Sequence, residues 1–206
     1  FIDSFETELH ASRGSVSAVY STALVSLTIA VLVGHPLFRR LSGSFIALIV
    51  SGGAAGGLLI AAWSSFLGGV IVGYGIIFGT ANGLGYAFSL QRAAEANPER
   101  SGFAFGWVTA AYALGAAAAA ALLDGLIEFA GTSRALSSLA LVIISAGLTA
   151  AFLLAGSGRS SFVTQEQIGL PALRQLLGRL WTGYGLATVA GLMTLGHAAA
   201  IVNQAG

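Results

Sequence analysis

Polar side chains inside long apolar stretches are the residues of this chain that could do chemistry. Asn82 lies near the middle of the apolar run 66–90. At helical spacing Asn82, Tyr86 and Ser89 share one face, with Phe78 one turn earlier. An amide surrounded by lipid needs hydrogen-bond partners. The pattern therefore predicts either a substrate-cavity wall or an interhelical hydrogen bond at Asn82.

Two aromatic residues of the run 103–123 are further candidates for contact with a substrate. Tyr112 lies in the middle of this run, and Trp107 lies near its N-terminal end. Their rings and polar groups could stack on a planar carboxylate and hydrogen-bond to it. For Trp107, a place in the aromatic belt at the membrane surface fits the sequence equally well. Tyr20 and Tyr74, near the outer ends of their runs, are expected in that belt.

His197 is the only ionisable side chain well inside an apolar run, the run 180–202. Such a group predicts function, and a histidine titrates near physiological pH. A helix starting at Leu180 places it about 25 Å along, toward the outer third of the membrane. It could gate or contact the substrate, or it could hydrogen-bond to a neighbouring helix.

Ser51, Asn82 and His197 also provide the residue types of an intramembrane serine protease of the rhomboid type. The glycine that this family places two residues before its serine is missing, because Ile49 stands there. The chain has no cysteine, which excludes thiolate catalysis and cysteine metal sites. We predict neither a metal nor a cofactor, and the chain is not expected to be an enzyme.

The composition indicates where these residues must sit. Of the 206 residues, 56% are hydrophobic and only 8% are charged. A soluble surface needs roughly a quarter to a third of its residues charged, which argues strongly against a soluble enzyme. The net charge of +1 gives no basis for nucleic-acid binding. The predicted fold class is an all-α membrane protein, with the lipid bilayer as its surroundings.

Apolar runs of about 20 residues predict membrane-spanning helices. Six such runs occur, at 16–34, 44–63, 66–90, 103–123, 135–156 and 180–202. The charged residues fall between them, as expected from a cost of about 3 kcal/mol for a charge at the membrane centre. Only Asp124 and Glu128 lie close to a predicted boundary.

The arginines predict the orientation. Alternate loops carry seven of them (35–43, 91–102 and 157–179) against two (3–15, 64–65 and 124–134). The first set is therefore expected in the cytoplasm. The segment before residue 16 then lies outside, which predicts a preceding span and a count of seven. Segment 157–179 is expected to be a linker with a short interfacial helix, or else an extension of the next span.

Glycines four residues apart predict close helix packing. They form the pairs Gly52/Gly56 and Gly53/Gly57 in one run, and Gly69/Gly73 and Gly75/Gly79/Gly83 in the next. This spacing lets two backbones approach closely. Tight packing alone accounts for the pattern, although smooth ridges would also let helices rock, as transporters require.

Two segments carry a family resemblance. In the first, which begins at Asn97, the matching positions are Arg100, Ala104, Gly106, Ala110 and Gly115. The second contains Gly79, Asn82, Gly83, Gly85 and Tyr86. They resemble spans four and five of the major facilitator superfamily, most closely its monocarboxylate porter and oxalate–formate antiporter branches. The resemblance implies an N-terminal bundle over 1–156 (end of span one to span six), a cytoplasmic central linker over 157–179, and span seven over 180–206.

The chain also departs from that family. The loop after span two keeps its glycines and the pair Arg39 and Arg40 but lacks the acidic residue, which argues against a charge-relay role for this loop. Arg39, Arg40 and Arg100 remain candidates for a gating loop motif. The arginine of drug exporters in span four is replaced by Gly75, which argues against a drug/proton antiporter.

The resemblance implies a secondary transporter for a small organic anion, a mono- or dicarboxylate, that works by alternating access. A proton or a counter-anion would be coupled to it, and the C-terminal half of the same transporter would supply the positive charge. The expected location is the bacterial inner (plasma) membrane. The alternative is a structural or sensory membrane protein without transport.

Overall fold

The computed structural model of the chain describes residues 13–155, and every element below belongs to that range. These residues are helical apart from short turns, and no strand occurs among them. The predicted all-α class is confirmed for this part of the chain. The linker 157–179, the run 180–202 and His197 lie outside the described residues.

Six helices follow one another: α1 Arg13–Val33, α2 His35–Arg40, α3 Gly43–Ala62, α4 Leu67–Ala96, α5 Ser101–Ala130 and α6 Thr132–Leu153. The stretch Ile71–Phe78 of α4 is π-helical, and Pro98–Arg100 forms a 3-10 turn before α5. Helices α3 to α6 are long and apolar enough to cross a membrane. In α1 the apolar part Ser17–Val33 is shorter.

Two helices run further than the apolar runs predict. Helix α4 ends at Ala96 rather than near 90, and α5 ends at Ala130 rather than near 123. Asp124 and Glu128 therefore lie on a helix and not in an outer loop. A charged side chain near a helix end does not interrupt backbone hydrogen bonding. Gly131 ends the helix instead, because its φ of 83° lies in the left-handed region that favours glycine.

The connections lie at two ends of the bundle. Short connections make successive helices run in opposite directions. The turns at Gly34–Ser42 and Asn97–Arg100 therefore share one end, which we name the Pro98 end. The turns at 63–66 and at Gly131 share the other, the Gly131 end. The short predicted loop 64–65 is present as the connection 63–66 between α3 and α4.

Helix α4 packs against α3 through facing glycines. A Cβ atom added to Gly57 would lie 2.6 Å from the Gly73 carbonyl oxygen, and one added to Gly73 would lie 2.6 Å from the Gly57 carbonyl oxygen. The two backbones are therefore in direct contact. A Cβ atom added to Gly52 or Gly56 would meet no described residue within 4 Å beyond the adjacent backbone of its own helix, so only one of the two predicted ridges of α3 is used here.

Helix α4 packs against α1 through its second set of glycines. Gly75 faces Thr22, Gly79 faces Ala23 and Gly83 faces Leu27. A Cβ on Gly79 would lie 2.7 Å from the carbonyl oxygen of Ala23. Helix α4 is therefore held between α1 and α3 by backbone contacts on two sides.

Helices α3 and α6 meet at Ser51 and Gly147. A side chain at position 147 would overlap Ser51, which is buried. The Ser51 hydroxyl donates to the carbonyl oxygen of Ala47 at 2.8 Å, so its polarity is satisfied within its own helix. Buried Leu58 and Leu136 extend the same contact toward the Gly131 end.

The short helix α2 is anchored at the Pro98 end. Phe38 is 2% exposed and packs with Ile46 and Phe88 in one hydrophobic cluster. The guanidinium of Arg92 lies 5.5 Å from the Phe88 ring centroid and pairs with Glu95 at 3.2 Å. These contacts fix the connection that carries Arg39 and Arg40.

Helix α5 is packed far more thinly than the others. Ala104 is its only buried residue in the described structure. A Cβ atom added to any of its four glycines, Gly102, Gly106, Gly115 and Gly125, would meet no described residue within 4 Å beyond the adjacent backbone of its own helix. The helix still contacts α4 and α6, so it forms one wall of the bundle rather than part of its core.

Candidate functional site

A cavity of ≈ 850 Å³ lies between α1, α4, α5 and α6. Most of its lining is aliphatic or aromatic. Its lining residues with polar groups are Tyr20, Tyr74, Asn82, Tyr112 and Asp124. Phe78 and Gly79 line it from α4. A space of this size, mostly apolar with a few polar groups, suits a small organic ligand.

The small side chains of α5 create this space. Ala116, Ala119 and Ala120 follow Tyr112 at helical spacing and line the cavity. A methyl group cannot fill the gap between α5 and the neighbouring helices. The cavity therefore follows the alanine face of α5 from Tyr112 to Asp124, which is about 18 Å along the helix axis.

A hydrogen bond between α4 and α5 forms the floor of the cavity. The side-chain amide of Asn82 donates from Nδ2 to the Tyr112 hydroxyl oxygen at 2.9 Å. Asn82 thus lines the cavity and also holds two helices together, so the two interpretations of this residue are compatible. The Tyr112 hydroxyl oxygen accepts here, which leaves its hydrogen able to donate to a ligand.

A second contact of the same kind lies one turn closer to the Pro98 end. The hydroxyl oxygens of Tyr86 and Thr109 are 3.2 Å apart, and the rings of Tyr86 and Tyr112 have centroids 5.0 Å apart. Tyr86 lies below the floor and is not part of the cavity lining. Thr109 is not among the predicted site residues, although it precedes Tyr112 by three positions and so shares its helix face.

The Gly131 end of the cavity brings together residues that the sequence pattern does not group. Asp124 lies about 9 Å along α5 from Ala130, and Tyr74 about 10 Å along α4 from Leu67. Tyr20 lies about 10 Å along α1 from Arg13, and all three line the cavity. Because Asp124 follows Ala120 by four residues, a longer predicted helix would have placed it on this face.

Trp107 does not reach this cavity. Its side chain is 63% exposed and meets Phe103 edge-on, with ring centroids 6.4 Å apart. Trp107 precedes Tyr112 by five residues, which turns it to another side of α5. The structure therefore separates these two candidates.

The three arginine candidates lie at the Pro98 end. Arg39 and Arg40 are exposed in the last turn of α2, and Arg100 is exposed in the 3-10 turn before α5. Arg100 precedes Tyr112 by about 18 Å along the helix. None of the three lines the cavity, and Asp124 is the one charged residue of the described range that does.

The residues of the protease hypothesis do not converge in the described structure. Ser51 faces Gly147 of α6, whereas Asn82 faces Tyr112 of α5. His197 lies outside the described residues. No group of three or more His, Cys, Asp or Glu side chains that could hold a metal ion occurs within residues 13–155.

Comparisons with protein-family models, with curated proteins and with solved structures found no match in any of the three.

Proposed function

We propose that this chain is part of a secondary active transporter that moves a small organic anion, a mono- or dicarboxylate, across the cytoplasmic membrane by alternating access. One observation carries the proposal: an elongated cavity of ≈ 850 Å³ with a hydrogen-bonding floor lies between helices apolar enough to cross a membrane. The family resemblance of the two segments around Gly79 and Arg100 supports it.

The packing of the other helices fits this mechanism. Carriers of this kind work by rocking one helical bundle against another around a fixed site. Helices α1, α3 and α4 touch at backbone distance through Gly57, Gly73 and Gly79, so they would move as one body. Movement would then occur between this bundle and the C-terminal half of the same transporter.

The floor of the cavity suits a carboxylate. The Tyr112 hydroxyl and the Asn82 amide are donors, and a carboxylate oxygen accepts. No arginine of residues 13–155 lines the cavity, so the proposal requires a positive group from the C-terminal half. A coupling proton or a counter-anion would complete the transport cycle.

Counterflow of labelled mono- and dicarboxylates tests this proposal, with the protein as its gene encodes it reconstituted in proteoliposomes. We expect counterflow of at least one carboxylate. The substitution Ala120→Leu should reduce it by about tenfold or more, because a leucine side chain fills the middle of the cavity. Ala117→Leu is the matched control, since Ala117 lies on the same helix but does not line the cavity.

Two results would contradict the proposal. The first is a lack of counterflow by the unmodified protein with every carboxylate tested, which would favour the structural or sensory alternative. The second is an equal reduction of counterflow by Ala117→Leu and Ala120→Leu, which would show that transport does not depend on this cavity. Size-exclusion profiles of both variants control for folding.

A further inference from the structure

The two ends of the cavity differ in their chemistry. The floor at Asn82 and Tyr112 offers neutral hydrogen-bond donors. The Gly131 end offers the carboxylate of Asp124, and no arginine of residues 13–155 lines the cavity beside it. Asp124 is exposed within the described residues, so its carboxylate is accessible to a ligand in the cavity.

Aromatic rings surround the same space. Tyr20, Tyr74, Phe78 and Tyr112 all line the cavity. The rings of Tyr74 and Phe78 are stacked, with centroids 5.0 Å apart and planes 24° apart, so they form one continuous aromatic surface. Ring faces attract cations, and quaternary ammonium groups are recognised in this way.

Helix geometry places Asp124, Tyr20 and Tyr74 toward the same end of the cavity. Asp124 lies about 9 Å along its helix from the Gly131 end, and both Tyr20 and Tyr74 lie about 10 Å along theirs. The floor at Tyr112 is about 18 Å from Asp124 along α5. A small carboxylate at the floor would therefore not touch Asp124.

We propose that the Gly131 end of this cavity binds an organic ammonium group. The Asp124 carboxylate provides the counter-charge, the rings of Tyr20, Tyr74 and Phe78 contact the alkyl groups around the nitrogen, and the alanine face of α5 accommodates an apolar body. A metal cation fits less well, because no cluster of metal ligands accompanies Asp124 in the described range.

This inference goes beyond the proposed function, since it adds a cationic ligand to a carboxylate cargo. It does not depend on transport, because binding can be measured directly. The ammonium group could belong to a separate ligand or to the far end of an elongated zwitterion, and both have the same chemistry at Asp124.

Isothermal titration calorimetry of the intact protein in nanodiscs tests the proposal. The probes are benzyltrimethylammonium and choline, with 3,3-dimethylbutan-1-ol as the uncharged isostere of choline. We expect saturable binding of both ammonium probes. The isostere should bind at least about tenfold more weakly than choline, because it lacks the charge that the acid and the rings recognise.

Matched variants locate the site. Asp124→Asn should weaken ammonium binding by about tenfold. Glu128→Gln removes the same charge one turn further along α5, outside the cavity, and should leave affinity unchanged. Tyr74→Leu should weaken binding, whereas Tyr74→Phe keeps the ring and should retain it.

The inference is overturned if neither ammonium probe binds, if choline and its isostere bind equally, or if Asp124→Asn and Glu128→Gln have the same effect. Carboxylate counterflow, measured with the same purified protein reconstituted in proteoliposomes, keeps the two proposals apart. Ammonium binding without counterflow would contradict the transport proposal alone. Counterflow without charge-dependent binding of the ammonium probes would contradict this inference alone.

Discussion

Helices α4 and α5 are both long and apolar, but they differ in how much of each is buried within the described bundle. In the most apolar stretch of α4, 39% of the residues are buried inside the described bundle, against 0% in that of α5. Both helices carry glycines four residues apart. In α4 those glycines touch the backbones of α1 and α3, whereas a Cβ atom added to Gly102 or Gly106 of α5 would meet no described residue within 4 Å beyond the adjacent backbone of its own helix.

The difference teaches that small residues have two separate uses in this molecule. In α4 they let backbones approach until no side chain fits, and this builds a rigid core. In α5 the small residues meet little of the described bundle, and their alanines leave room for the cavity. Spacing alone does not separate these uses, because both patterns follow the same helical period.

The largest expected effect comes from adding a side chain where backbones touch. Gly57→Leu would force atoms toward the Gly73 carbonyl oxygen, which lies 2.6 Å from the added Cβ position. We expect a loss of about 3 kcal/mol or more in the free energy of unfolding. Titration with SDS in mixed micelles measures it.

The neighbouring residue provides the control for this prediction. Gly56→Leu adds the same side chain at a position with nothing within 4 Å in the described bundle. It should change the free energy of unfolding by less than about 1 kcal/mol. Equal losses for the two variants would show that the facing glycines are not the tight contact described above.

A smaller change compares α4 directly with α5. Gly79→Ala places a methyl group 2.7 Å from the Ala23 carbonyl oxygen and should cost about 1–3 kcal/mol. Gly115→Ala has open space around it within the described bundle and should be neutral, or stabilising by up to about 1 kcal/mol. The same SDS titration measures both, and a comparable loss at Gly115 would refute the contrast between the helices.

The smallest expected effect is at the contact that joins the two helices. A double-mutant cycle of Asn82→Ala and Tyr112→Phe should give a coupling free energy of about 0.6 kcal/mol, the average for hydrogen bonds within membranes. Tyr86→Phe combined with Thr109→Val is the parallel cycle for the second contact. A coupling of zero in the first cycle would mean that Asn82 and Tyr112 do not stabilise the floor of the cavity.

Much of the helical fold could be predicted from the sequence. The runs 44–63 and 135–156 correspond to α3 and α6 with boundaries a few residues away, because the thickness of a bilayer fixes the length of an apolar helix. The predicted end of α5 is wrong, since the charges of Asp124 and Glu128 suggest a loop where the helix continues. Helix termination depends on backbone conformation, and Gly131 provides it.

The candidate site could be predicted from the sequence only in part. The face of Asn82, Tyr86 and Phe78 follows from helical spacing within one segment. The pairing of Asn82 with Tyr112 does not, because it joins residues 30 positions apart on two helices. The positions of Tyr20 and Tyr74 near the ends of their apolar runs predict belt residues, and only their packing around α5 places them on the cavity wall.

The amino-acid pattern alone is enough to show that the described chain is helical and where its apolar helices lie, because the hydrophobic effect acts on each segment independently of the others. The tertiary structure decided which glycines became contacts and which alanines became a cavity wall. It also decided that Asp124 shares a space with aromatic rings from α1 and α4. These choices depend on which surfaces meet, and helices that are apolar on every side carry no pattern that specifies their partners.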